Sequence, residues 1–147
     1  MDKYESRSAV TGMGMSEVGR RLMRDPLALT FDACLAAIED AGLTREDIDG
    51  VCTYPGTVGG APGISGAAAW DVMDALRLDV KFFNSGLEQA GQLGSIAAAM
   101  LAVSAGLCRH VLCFRTVWEA TYTQLQRTML GQLSSDAALG EAAREWN

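Results

Sequence analysis

The stretch that decides the fold is FFNSGLEQAGQLGSIAAAMLAVSAG, residues 82–106. It runs from two aromatics through a glycine-punctuated turn into a row of small residues, with no charged residue from Gln89 through Leu107. Alanine and glycine let backbones approach closely, so a helix over residues 88–105 with so little bulk and charge is expected to be surrounded by other elements on all sides. Its uncharged length approaches that of a membrane span. Gln89, Gln92, Ser95 and Ser104, with glycines at 91, 94 and 106, make it too weakly hydrophobic for that, and no membrane contact is expected.

On either side of this helix the pattern alternates between strand and helix. Residues 8–11 read as a short strand, and the glycines that follow, Gly12, Gly14 and Gly19, miss the dinucleotide-binding spacing. Asp25 before Pro26 is a strong helix start, because the carboxylate caps free amides and proline at the first position sacrifices no hydrogen bond. Leu27, Phe31, Leu35 and Ile38 form its apolar stripe, and Gly42 ends it. LTREDIDG is a capped turn, VCTY (51–54) a buried strand, and AAAWDVMDALRL (67–78) an amphipathic helix with Trp70, Met73 and Leu76 inward. VKFFN (80–84) and HVLCFRTV (110–117) are strands. The loop over residues 56–66, with five glycines, is either a plain linker or a functional loop. Strand and helix in strict alternation argue for an α/β layered domain with a largely parallel sheet and helices on both faces.

Composition removes several functions. The chain has 147 residues, enough for one domain with a core, and 49% of them are hydrophobic, which argues against disorder. A net charge of -6, with 12 Lys and Arg thinly spread, gives no basic stripe for nucleic acid. The charged N-terminus shows no signal-peptide pattern, and four scattered cysteines suit a reducing, cytoplasmic compartment as small core hydrophobes. A zinc site in CRHVLC is disfavoured: in an extended strand His110, Leu112 and Phe114 face one way while Val111, Cys113 and Arg115 face the other. No metal is expected.

Glu88 follows a strand and the turn NSGL and opens the small-residue helix. A helix start presents unpaired amides and a positive dipole end, which suits an oxyanion or a thioester carbonyl. By spacing alone, capping the dipole is the simpler role for Glu88 and shaping a reaction site the sharper one.

With SAVTGMG, DPLALTFDACLAAIEDAGLTREDIDG and YPG before it, the segment from Phe82 through FRTVWEA resembles the N-terminal half of the thiolase superfamily. The nearest likeness is to sterol carrier protein x-type thiolases and the actinobacterial lipid-transfer protein relatives. It spans nearly the whole chain, and AIEDAGLTREDIDGV and AMLAVSAGLCRHVLCFRT are its most specific parts. The resemblance implies a layered α-β-α-β-α fold, of which residues 1–117 would be the N-terminal α/β half, a mostly parallel five-strand sheet with a buried central helix. Residues 118–147 would begin an inserted loop region, in a protein over twice this length.

Thiolases carry an acyl-accepting cysteine at the amino end of this helix. The match places that position at Gln89, within a window of residues 88–93 that holds no cysteine. Glutamine cannot form an acyl-thioester, so ordinary thiolysis is excluded at this position; Cys108 and Cys113 fall at the helix's far end or beyond it. Relatives without the cysteine act as aldolases on β-hydroxyacyl-CoA, notably in steroid side-chain breakdown, together with an OB-fold, zinc-ribbon-bearing partner. The resemblance therefore implies retro-aldol cleavage of an acyl-CoA without a further cofactor. Glu88 and Gln89 are its expected catalytic wall, and Asn84, Ser85, Gly86 and Gly91 line the substrate turn. Phe82 and Phe83 would pack across a two-fold axis in a homodimer. The competing expectation is a non-catalytic thiolase-like scaffold or binding subunit.

Overall fold

The computed structural model describes residues 3, 6–54, 63, 64, 66–86 and 91–145, with side chains as far as residue 133. Its centre is a three-stranded parallel sheet in the order β2-β1-β3, formed by β1 (Gly50–Thr53), β2 (Phe82–Ser85) and β3 (Val111–Phe114). Among the described residues four α-helices accompany it: α1 (Pro26–Asp40), α2 (Ala69–Leu76), α3 (Gln92–Ser104) and α4 (Glu119–Glu145). The parallel α/β expectation holds in this coarser form, with three strands rather than five among the described residues.

Helix α1 starts as its sequence dictates. The Asp25 carboxylate accepts from the amides of Leu27 (2.8 Å) and Ala28 (3.2 Å), and Pro26 occupies the first turn. At its end Gly42 takes φ 66°, and the Leu43 amide reaches back to the Ile38 carbonyl at 3.0 Å. The inward stripe differs from expectation: Cys34 and Ile38 are buried with Leu27 and Phe31 packed beside them, while Leu35 is 49% exposed. Leu35 stands one helical step past Cys34, a rotation of about 100°, and that step carries it off the buried face.

Helix α2 shows the same displacement. Ala69, Val72 and Leu76 make its inner row, with Met73 partly buried against the core, and Trp70 is outside, its ring 4.8 Å from that of Phe83. The expected inward Trp70 is thus corrected, because spacing of three and four from Leu76 selects Val72 and Ala69 instead.

Residues 8–11 belong to no strand. The chain next crosses α1: the Met13 amide donates to the Asp40 carboxylate at 2.9 Å. Gly12 and Gly14 lie so close to that helix that a Cβ on either would collide with the carbonyl oxygen of Ala37 or Ala33. The segment takes α1, rather than the sheet, as its partner.

Side chains alternate across the sheet. Val51, Leu112 and Phe114 join Cys34, Ile38, Val72 and Leu76 in the main core under α1 and α2. Gly50 faces the other way, where a Cβ would meet Val111 and the Cys108 sulfur, and α3 packs over all three strands on that side. Small residues permit this approach: Ser95, Ala99 and Ala102 are buried. Enclosure on all sides is not what the chain shows, however. Leu93 is 73% and Leu101 52% exposed, so α3 is covered on its sheet face and open on the opposite one. No helix among the described residues is long and apolar enough to cross a membrane.

Candidate functional site

In a parallel sheet every strand ends on the same edge, and crossover helices begin there, so loops, strand ends and helix amides converge. The amino edge of this sheet is closed by Asp49, which is 8% exposed. Its Oδ1 accepts from the amides of Arg109 (2.7 Å) and His110 (2.9 Å), and Lys81 Nζ stands 3.4 Å from Oδ2. Burial pushes the Asp49 carboxyl up, but the two amides and Lys81 outweigh it and hold the group below the usual carboxylate range. This edge is internally satisfied.

The carboxyl edge differs. On the α3 side of the sheet, Asn84, Cys52 and Cys113 are aligned across β2, β1 and β3 by the strand register. Two residues on, alternation brings Gly86, Tyr54 and Arg115 to the same side at the strand ends. The Arg115 guanidinium lies over the Tyr54 ring, 5.3 Å from its centroid. A Cβ on Gly91 would stand 3.6 Å from that ring, so the tip of α3 rests against Tyr54. Gly91 has φ 60° and ψ -135°, a conformation that a side chain strongly opposes. Among the described residues no side chain caps α3. Gln92, in its first turn, holds a buried Oε1 that finds no hydrogen-bond partner there.

Of the expected substrate-turn residues, Asn84 and Gly86 are on the α3 side of the sheet with Gly91 at the start of that helix, while alternation turns Ser85 to the opposite side. Asn84 and Ser85 are half-buried in β2, Gly86 follows them, and Gly91 caps α3. Glu88 and Gln89, the expected catalytic wall, lie outside the described residues, as does most of the loop over 56–66. Tyr54, Arg115 and Gln92 were not singled out by the sequence reading. Their signal was positional: Tyr54 and Arg115 are the first residues beyond β1 and β3, on the α3 side, where parallel sheets build sites.

The thiols separate into distinct environments. Burial pushes Cys34 up to about 12, making it an inert core residue. Burial, with Asp49 and Cys52 nearby, also raises Cys108. Cys113, half-buried, is instead lowered by its hydrogen bond with Cys52, which outweighs its own burial. The expectation that all four are plain core hydrophobes thus holds for burial at Cys34, Cys52 and Cys108 but not at Cys113. Cys113 also sits one residue from the carboxyl end of β3 rather than beyond the far end of α3, whereas Cys108 precedes that strand.

No protein-family model matches the sequence. Over 147 residues the chain is 29% identical to a steroid side-chain-cleaving aldolase of Thermomonospora curvata, a match covering 99% of this chain and 36% of that protein. Its fold resembles a chain of the Ltp2-ChsH2 (DUF35) aldolase with a TM-score of 0.65 and 31% identity, covering 77% of this chain and 28% of the other. The chain therefore spans about a third of the length of the curated relative it matches. Both likenesses point to an aldolase family of the kind the sequence resemblance named, without fixing the branch.

Proposed function

We propose that this chain forms part of a carbon–carbon lyase that cleaves a β-hydroxyacyl-CoA with a steroid or branched side chain by a retro-aldol step. The observation that carries the reading is the likeness to two aldolases in sequence and fold, at 29% and 31% identity. The geometry supports it, because the carboxyl edge gathers a helix start and a cation of the kind a developing enolate needs. In the proposed step a base removes the β-hydroxyl proton, the bond between the α and β carbons breaks, and a carbonyl product leaves. The electron pair passes to the thioester enolate, which is then protonated. Backbone amides at the tip of α3 and the Arg115 guanidinium would oppose the enolate's negative charge, with Tyr54 holding Arg115 in place. Glu88 and Gln89 complete that wall, and no resident cofactor is required.

The rest of the proposal concerns assembly. The open face of α3, with Leu93 and Leu101, would be covered in a five-layered thiolase-like fold by the kind of further chain the relatives possess. Residues 118–147, which include α4, would begin the inserted loop region. The exposed edge of β2 would let Phe82 and Phe83 pack across a homodimer axis. A second protein of the OB-fold, zinc-ribbon kind would join it, in line with the two names in Ltp2-ChsH2. The compartment would be the cytoplasm.

The test is to incubate the complete protein carrying this chain with a β-hydroxyacyl-CoA bearing a steroid or branched tail. Release of a ketone or aldehyde is expected. Tight binding of the thioester without any carbonyl product would replace the lyase by the thiolase-like scaffold.

A further inference from the structure

The strand register puts two thiols side by side. Cys52 in β1 and Cys113 in β3 are direct partners, two residues beyond the pair formed by Gly50 and Val111. Alternation therefore aims both toward α3, and the two thiols share a hydrogen bond. A third sulfur lies on the same side: a Cβ on Gly50 would stand 3.1 Å from the Cys108 Sγ. All four cysteines of the chain are free, yet of these only Cys52 and Cys113 face one another across a strand pair.

Spacing and exposure suit these two to bonding. Neighbouring strands lie about 4.8 Å apart, inside the span of roughly 4.4–6.8 Å that a disulfide bridges between Cα atoms. Side chains on parallel strands run alongside one another instead of converging, so such a bond would be strained and easily reduced. Exposure sets the order of attack. Cys113 is half-buried and within reach of a small oxidant, while Cys52 beside it is fully buried. The more accessible thiol is also the one held below the ordinary thiol range, by its hydrogen bond with Cys52.

We propose that Cys113 and Cys52 form a reversible oxidation site for a small peroxide, closing to a disulfide between β1 and β3. With hydrogen peroxide, the Cys113 thiolate attacks one oxygen, the O–O bond breaks, and the departing hydroxide takes up the proton that the thiol released. A sulfenic acid and one water result. Cys52 then attacks that sulfur: the S–S bond forms, the S–O bond breaks, and a second water leaves with the Cys52 proton. Each sulfur gives up one electron, and the peroxide is reduced to water. Exchange with two molecules of a small thiol restores the pair and oxidises that thiol to its own disulfide. The bond ties the strands two residues before Tyr54 and Arg115, at the base of the carboxyl edge. The inference does not depend on the carbon–carbon chemistry proposed above.

The test is linkage mapping of the complete protein carrying this chain. It is treated with an equimolar amount of hydrogen peroxide, unfolded in N-ethylmaleimide to block every remaining thiol, and digested without reductant for peptide mass analysis. The peptides of Cys52 and Cys113 should appear joined, lighter by two hydrogens than their sum, with Cys34 and Cys108 alkylated. Dithiothreitol added before the blocking step should return both partners as alkylated thiols. In Cys52→Ala, checked for folding by circular dichroism, Cys113 should stop at the sulfenic acid and be captured by dimedone; if that variant does not fold, the map of the parent protein decides alone. Any other product at Cys113 overturns the assignment, whether a free thiol, a sulfinic acid, or a bond to Cys108 or to a second molecule. So does a folded Cys52→Ala that captures no dimedone at Cys113.

Discussion

The two faces of the sheet are built from opposite materials. Under α1 and α2 lie Cys34, Ile38, Val51, Val72, Leu112 and Phe114, a continuous apolar core of branched and aromatic groups. Under α3 lie Gly50, Cys52, Asn84 and Cys113, met by serine and alanine. The first face buries area, and each full side chain it hides contributes roughly 1.5–3 kcal/mol. The second hides little per residue but sets a helix tip close against Tyr54 at the strand ends. Bulky apolar burial is thus concentrated on one face and close helix approach on the other, with the sheet as the shared wall.

That division can be broken most severely on the bulky side. Phe114→Ala should cost about 3–5 kcal/mol, read as a lower midpoint in urea denaturation, because it opens a cavity among buried side chains. A loss under 1 kcal/mol would mean the core is less closed than its burial implies.

On the small side the expected damage comes from excess volume. Ala102→Leu should cost about 1–3 kcal/mol, since Ala102 is buried and the larger side chain would push α3 off the strands. Leu101→Gln, on the open face of the same helix, should change stability by about 0.5 kcal/mol or less in this chain. Equal effects of the two would erase the distinction between covered and open faces.

Asp49, at the amino edge common to both faces, gives a pH signature. Its folded-state pKa is depressed, so its contribution is full above the ordinary carboxyl value of about 3.9 and is lost as pH falls through the lower folded value. Asp49→Ala should cost about 1–3 kcal/mol at neutral pH by stranding two amides, and should flatten stability between about pH 4 and lower pH. An unaltered acid limb would assign that limb to other carboxylates.

The thiols sharpen the comparison with the least energy at stake. In the folded protein a small alkylating reagent should modify Cys113, on the α3 side, before Cys34, in the apolar core, as peptide mass mapping would show. The reverse order would contradict the two environments.

Much of this organisation is legible in the amino acids. The Asp25-Pro26 start and Gly42 stop of α1 are local, decided by capping and by a single positive φ, and both stand in the structure. The small side chains of α3 foretell its close approach to the sheet, as Ala99 and Ala102 show. What they cannot tell is whether one side or all sides are covered, because that depends on which neighbours are present. Trp70 and Leu35 were misplaced by the pull of size: a large apolar residue adjacent in angle to the true stripe looks inward until packing decides. Tyr54 and Arg115 stayed unseen because they are 61 positions apart in sequence and meet only through strand register. The expected wall at Glu88 and Gln89 lies outside the described residues; at the start of α3, Gly91 takes a positive φ and the Gln92 Oε1 has no hydrogen-bond partner among the described residues.

The most direct measurement is the rate of carbonyl release from a β-hydroxyacyl-CoA by the complete protein, with and without Arg115→Gln. If the carboxyl edge beside α3 opposes enolate charge, kcat falls on the order of 100-fold while the melting temperature stays put, the guanidinium being exposed. An unchanged kcat would remove Arg115 from the reaction and this edge from its site.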